Sequence, residues 1–116
     1  MTRAASRLGL LQGTLDLLIL RTLLFGPEHG HAIARRIRQT SDDLLQVETG
    51  SLYPALNRLE AQGLIAASWE TSDKGKQAKF YRLTARGRKH LHAERTRWET
   101  LSRAMGLVLG PAQKTS

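Results

Sequence analysis

Cysteine is absent from the chain, which excludes a disulfide framework and any thiolate metal site and fits a reducing compartment. Acids are scarce: ten Asp and Glu stand against eighteen Lys and Arg, leaving a net charge of +8 and a sequence pI near 10.9. That balance favours a polyanionic partner, nucleic acid or an anionic membrane surface, with a basic but inert surface as the alternative. No apolar run is long enough for a membrane. The most apolar stretch, Leu17 to Leu20, is bracketed by Asp16 and Arg21, whereas a spanning helix needs ~20 apolar residues. The opening MTRAASRLGLLQG has no apolar core ahead of a small-residue cleavage site, so no secretory signal is expected and a cytoplasmic, nucleoid-associated location is. Walker loop, GxGxxG, nucleophile elbow and HExxH are all missing, so neither an enzyme nor a cofactor is expected. His29 and His31 have no obvious third ligand beside them, and His90 and His92 would sit ~200° apart on a helix, so no metal site is expected either.

What is present is organised around Gly50 to Ile65, GSLYPALNRLEAQGLI. Leu52, Leu56 and Leu59 fall at i, i+4 and i+7, one apolar stripe of a helix. At ~100° per residue that leaves Gly50, Pro54, Asn57 and Ala61 on the far side, with Ser51 and Arg58 along its edge. Pro54 is expected near the helix start, where no amide partner is lost, so the first turn is placed near Thr49 to Leu52. Gly63 is the expected left-handed stop, and Leu64-Ile65 opens a strand. A helix that packs by leucines and shows small, polar and cationic groups outward suits DNA reading; an ordinary amphipathic core helix is the alternative.

At 116 residues the chain is expected to form one domain. Residues 1–7, with Arg3 and Arg7, read as a flexible basic arm. Leu8 to Phe25 is strongly helical, with one stripe of Leu11, Leu15 and Leu18 and another of Leu17, Leu20 and Leu24. A helix apolar on two faces is buried on two sides: one face can serve the core and the other a partner chain, with a single wide core contact as the alternative. After Gly26-Pro27 a second helix is expected over His31 to Thr40, buried through Ile33 and Ile37. Together with the leucine-striped helix it makes a helix-turn-helix arrangement. Strands about Ile65 to Glu70 and Lys79 to Leu83 flank TSDKGKQA, a hairpin with a cationic tip. Its Lys74, Lys76 and Lys79 can reach phosphates, though lysines at a hairpin tip also serve solubility and edge protection. Thr84 is an N-cap for a last helix, Ala85 to Leu109, on which Leu91, Trp98, Leu101, Met105 and Val108 keep a seven-residue pattern. Between Lys74 and Arg97 nine Lys or Arg meet a single acid, Glu94. Residues 110–116 read as a disordered tail.

In order along the chain, LLQGTLDLLIL at 10–20, HGHAIARRI at 29–37, GSLYPALNRLEAQGLI at 50–65 and KFYRLTARGR at 79–88 resemble the PadR family of bacterial winged-helix transcription regulators. The likeness is to the short branch with one C-terminal helix, in particular its acidobacterial-type subgroup. The resemblance implies a homodimer, operator DNA and repression relieved by a small molecule. The chain departs from the pattern at His31, where relatives usually carry an aromatic, at Thr49, where many carry Pro, and in a wing rich in Lys rather than Asn and Arg. Lys cannot reproduce the fork of an arginine. Trp98 lies where a multidrug-sensing branch has a tryptophan that stacks planar drugs at the dimer interface; plain core or interface packing is the other reading.

The expected fold is mainly α with a small β-hairpin (α+β): a winged helix-turn-helix domain over 8–84 and a long C-terminal dimerisation helix over 85–109. The expected function is a DNA-binding transcriptional regulator, a repressor on an inverted-repeat operator. The expected DNA-binding residues are Gly50, Ser51, Tyr53, Pro54, Asn57, Arg58, Lys74, Lys76, Lys79 and Arg82. The expected dimer interface is Leu11, Leu15, Leu18, Leu91, Trp98, Leu101, Met105 and Val108, with Trp98 as the candidate contact for a small aromatic effector. An RNA-binding or nonspecific architectural module fits the charge as well, and competition between duplex DNA and RNA separates the readings.

Overall fold

The computed structural model describes residues 12–71 and 73–111; Leu11, residues 1–10 and most of the tail expected at 110–116 lie outside them. Helix α1 (Gln12–Leu23) runs through the middle of the molecule, packed by α2 (Gly30–Thr40), α3 (Thr49–Ala61), α4 (Ala85–Leu109) and strand β3 (Gln77–Leu83). That placement explains its two apolar stripes. Leu15, Ile19, Leu20 and Leu23 are all buried in the chain's own core, and Leu17 and Leu18 pack against it. The assignment of Leu15 to a dimer interface is therefore corrected: it is 2 % exposed within a single protomer. Leu91 is corrected for the same reason, since the second turn of α4 closes over that core.

Beyond α1, Gly26 (φ +141°) turns the chain into β1 (Glu28–His29), a two-residue strand too short to show any alternation in sequence. It pairs antiparallel with β3, Glu28 opposite Tyr81 and His29 opposite Phe80. The expected hairpin is thus the larger part of a three-stranded sheet of order β1-β3-β2, with β2 at Ile65–Thr71. His29 also caps α2: its Nδ1 accepts the Ala32 amide at 3.2 Å. Ile33 and Ile37 bury that helix, which ends in Asp42 and Asp43 at positive φ, a conformation short polar side chains tolerate.

Helix α3 ends in a hydrogen-bonded reversal. The Gly63 amide donates to the Glu60 carbonyl and the Leu64 amide to the Leu59 carbonyl, each at 3.0 Å, with Gly63 at φ +76°. The β2–β3 register runs from Ile65 opposite Leu83 to Thr71 opposite Gln77. Thr84 then binds three segments together. Its hydroxyl donates to the Gly63 carbonyl at 2.8 Å, with the Leu64 carbonyl at 3.0 Å, and accepts the Gly87 amide at 2.9 Å. Gly87 lets α4 lie on this junction: a β-carbon there would overlap the Leu64 carbonyl oxygen and come within 2.8 Å of Leu83 Cδ1. Helix α4 is 25 residues, roughly 37 Å, long. Past Leu91 no side chain of α4 is buried, although the helix stays beside the start of α1 as far as Leu101, and the molecule has extents of 55 × 33 × 21 Å.

Candidate nucleic-acid interface

The inner face of α3 is Leu52, Ala55, Leu56 and Leu59, none more than 2 % exposed. Its outer face is Gly50, Ser51, Tyr53, Pro54 and Asn57, all exposed. Pro54 does not sit where expected. It is the sixth residue of the helix, so the Gly50 carbonyl lacks its usual amide partner, and it does so at a solvent-exposed residue. Tyr53 reaches from α3 to the first residue of α2. A β-carbon on Gly30 would meet its Cε1 and its hydroxyl at 2.9 Å, so a side chain there would have to push the ring away.

Between α3, the start of α2 and the hairpin lies an open cleft of 1350 Å³. Of the expected DNA contacts, Tyr53, Asn57, Lys74, Lys76 and Lys79 line it. Gly50, Ser51 and Pro54 lie outside it on the outer side of α3, and Arg82 is exposed on the opposite sheet face from buried Tyr81. The cleft also gathers residues that the sequence reading missed: His29, His31, Arg35 and Trp69. The signal for two of them was available. His31 and Arg35 are four apart at the start of the helix that precedes the reading helix, and so share a face.

Two expected contacts are engaged elsewhere. Arg58 turns to α1, where its Nη2 meets Asp16 Oδ1 at 2.7 Å, and its buried Nε has no partner among the described residues. Lys79 Nζ lies 3.5 Å from Glu60 Oε1 and 5.6 Å from the centre of the Tyr81 ring. Burial pushes the Tyr81 phenol above its ordinary value near 10, with Lys79 pulling it back down, so Tyr81 stays neutral at physiological pH. Arg58 and Lys79 therefore hold α3 to its neighbours. Truncating Arg58 to Ala is expected to cost about 1–2 kcal/mol, since a short charge-assisted bond is lost from a half-buried site. A double-mutant cycle with Asp16→Ala checks this. Coupling of about 1 kcal/mol is the expected outcome, and no coupling together with lost DNA affinity would return Arg58 to the DNA face.

On the far side of α1 a notch of 340 Å³ opens against α4, lined by Gly13, Thr14, Leu17, Glu94, Arg97, Trp98 and Leu101. Trp98 is 52 % exposed, Leu101 59 %, Met105 52 % and Val108 85 %. Among the described residues no group of three or more His, Cys, Asp or Glu is placed to hold a metal ion, and no helix is long and apolar enough to cross a membrane.

The model of the PadR-like transcriptional regulator family matches residues 19–93, well over half of the chain. A transcriptional regulator of Mycobacterium tuberculosis is 39 % identical over 71 residues, 61 % of this chain and 63 % of that one. Among solved structures, a transcriptional regulator from Clostridium thermocellum superposes with a TM-score of 0.78 at 28 % identity, covering 85 % of this chain and 96 % of that one. A PadR family transcription regulator from Clostridium difficile superposes with a TM-score of 0.73 at 30 % identity, covering 83 % and 98 %. The overall fold agrees with these solved structures, and the chain belongs to the PadR-like family of transcriptional regulators, which are not enzymes.

Proposed function

We propose that the chain is a repressor that binds an inverted-repeat operator as a homodimer on the nucleoid and is released by a small molecule. One observation carries the reading: an α3 whose exposed outer face carries Ser51, Tyr53 and Asn57 among small residues stands beside a hairpin with Lys74 and Lys76 at its tip, across an open cleft. A helix ~10–12 Å wide fits a major groove of ~12 Å. Asn57 is the side chain of α3 best suited to a base edge, Ser51 and Tyr53 to backbone, and the hairpin lysines to phosphates. The 340 Å³ notch at Trp98 is the place for an aromatic effector, beside the seam on which the dimer would form.

The test is binding to duplexes that the protein itself enriches from a random pool. An inverted repeat is expected in the enriched set, and RNA of equal length is expected to compete poorly. Changing Lys74 and Lys76 together to Ala is expected to weaken specific and random duplexes alike and to lower the salt slope by about two units, one per lost phosphate contact. Asn57→Ala is expected to weaken only the enriched duplex, with a normal melting curve. Unchanged affinity and slope in the lysine variant would remove the hairpin from the interface, and RNA competing as well as DNA would favour an RNA-binding module.

A further inference from the structure

Trp69 is a large apolar side chain left 67 % exposed, on a strand whose other inward residues are covered. Ile65, Ala67 and Trp69 share one face of β2. Ile65 is 2 % exposed and Ala67 packs against the core, but at Trp69 the hairpin has run past the helices, and the indole lines the cleft opposite Tyr53 and Asn57. Its cross-strand neighbour is Lys79, which is held by Glu60 and lies over the Tyr81 ring, so that cation does not cover the indole. The next residue is an acid, Glu70, whose carboxylate accepts the Ser68 hydroxyl at 3.0 Å. This part of the hairpin is therefore unsuited to phosphate, and the phosphate-seeking charge lies further out, at Lys74 and Lys76. Trp69 stands two residues, roughly 7 Å, short of the end of β2, between those lysines and the reading helix.

Resting on the DNA-binding reading above, we propose that Trp69 is an affinity-setting, sequence-independent contact of the hairpin, its indole packed against the deoxyribose wall of the DNA flanking the site that α3 reads. Such a contact takes apolar surface out of water and, touching no phosphate, releases no counterions. It supplies affinity that salt does not screen, next to lysines whose contribution salt does screen.

The experiment uses the full-length protein with 5-fluorotryptophan at both tryptophans, Trp69 and Trp98, and a fluorescein-labelled duplex enriched by the wild type from a random pool. The ¹⁹F resonance missing from Trp69→Phe is that of Trp69. On saturation with the duplex, followed independently by anisotropy, that resonance is expected to shift and to lose most of its H₂O/D₂O isotope effect. Trp69→Ala is expected to melt like the wild type, to bind the duplex about tenfold more weakly and to keep the wild-type salt slope. A Trp69 resonance unmoved at full anisotropy change overturns the proposal and leaves the DNA-binding reading standing. So does a Trp69 resonance that responds to protein concentration without DNA, which would place the indole between protein copies, or a salt slope that falls with Trp69→Ala. Failure of the wild type to enrich or bind any duplex removes the DNA-binding reading, and this contact with it.

Discussion

Changing Leu101 and Met105 together to Asp is expected to give a folded monomer with operator binding lost and weak nonspecific DNA binding left. The two half-sites of an inverted repeat facing one side of the duplex lie about 34–36 Å apart. Helix α3, at 13 residues, is roughly 20 Å long and reads one of them. Joining two copies turns the second contact into an intramolecular one, and losing that linkage costs about 10²–10⁴-fold in apparent affinity. The seam that would join them is Trp98, Leu101, Met105 and Val108, all at least half exposed on the part of α4 that buries no side chain. Exposed apolar surface of this kind invites association, and two carboxylates in it would be buried without partners. The winged domain should survive, because the last buried residue of α4 is Leu91, ten positions before Leu101. Sedimentation of both proteins near the binding concentration, with a thermal melt of each, is the measurement. A monomeric wild type that still protects both half-sites would reject the dimer and the role given to α4.

Gly87→Ala is expected to be the most damaging single methyl in the domain. Inside a helix that exchange ordinarily stabilises by up to ~1 kcal/mol. At Gly87 the sign reverses, because the new carbon would overlap the Leu64 carbonyl oxygen and crowd Leu83. Relieving the overlap means lifting the start of α4 off the junction, which also strains the bond from the Gly87 amide to Thr84. Overpacking costs about 1–3 kcal/mol and a lost N-cap about 1 kcal/mol more. Together they amount to ~3 kcal/mol, or a Tm lower by roughly 10 °C or more for a domain of this size. The control is Gly106→Ala in the same helix, where the added carbon meets nothing within 4 Å, so that the ordinary small gain is expected. A Gly87→Ala protein as stable as wild type would mean that α4 does not dock on Leu64 as described.

Periodicity made the reading helix legible, because Leu52, Leu56 and Leu59 repeat within one element and their burial is local to it. The last helix was legible for a different reason: Thr84 is a cap and Gly110 a stop, and the helix runs between them, Ala85–Leu109. What escaped depends on partners far away in sequence. Strand β1 is only Glu28 and His29, and exists because β3, more than fifty residues later, offers an edge. Arg58 and Lys79 read as free cations until the fold sets Asp16 and Glu60 beside them. Leu15 carried a correct signal, one of two apolar stripes, but it is answered inside the protomer because α1 is the central helix. Trp69 alternated correctly with Ile65 and Ala67; where the core ends along that strand is a tertiary fact.

The junction at Thr84 has a mechanical side. One hydroxyl group there touches the end of the reading-helix turn, the start of β2 and the first turn of α4. In a dimer joined through α4, that point is the fulcrum of a lever whose long arm is α4 itself. The core grips α4 as far as Leu91, so the arm free to swing is the stretch beyond it, roughly 27 Å long, and a rotation of about 10° would move its far end by roughly 5 Å. The distance between two reading helices would then be tuned at a joint one residue wide, outside both the reading face and the seam, so that small changes at Thr84 would alter which operator spacings the pair can straddle.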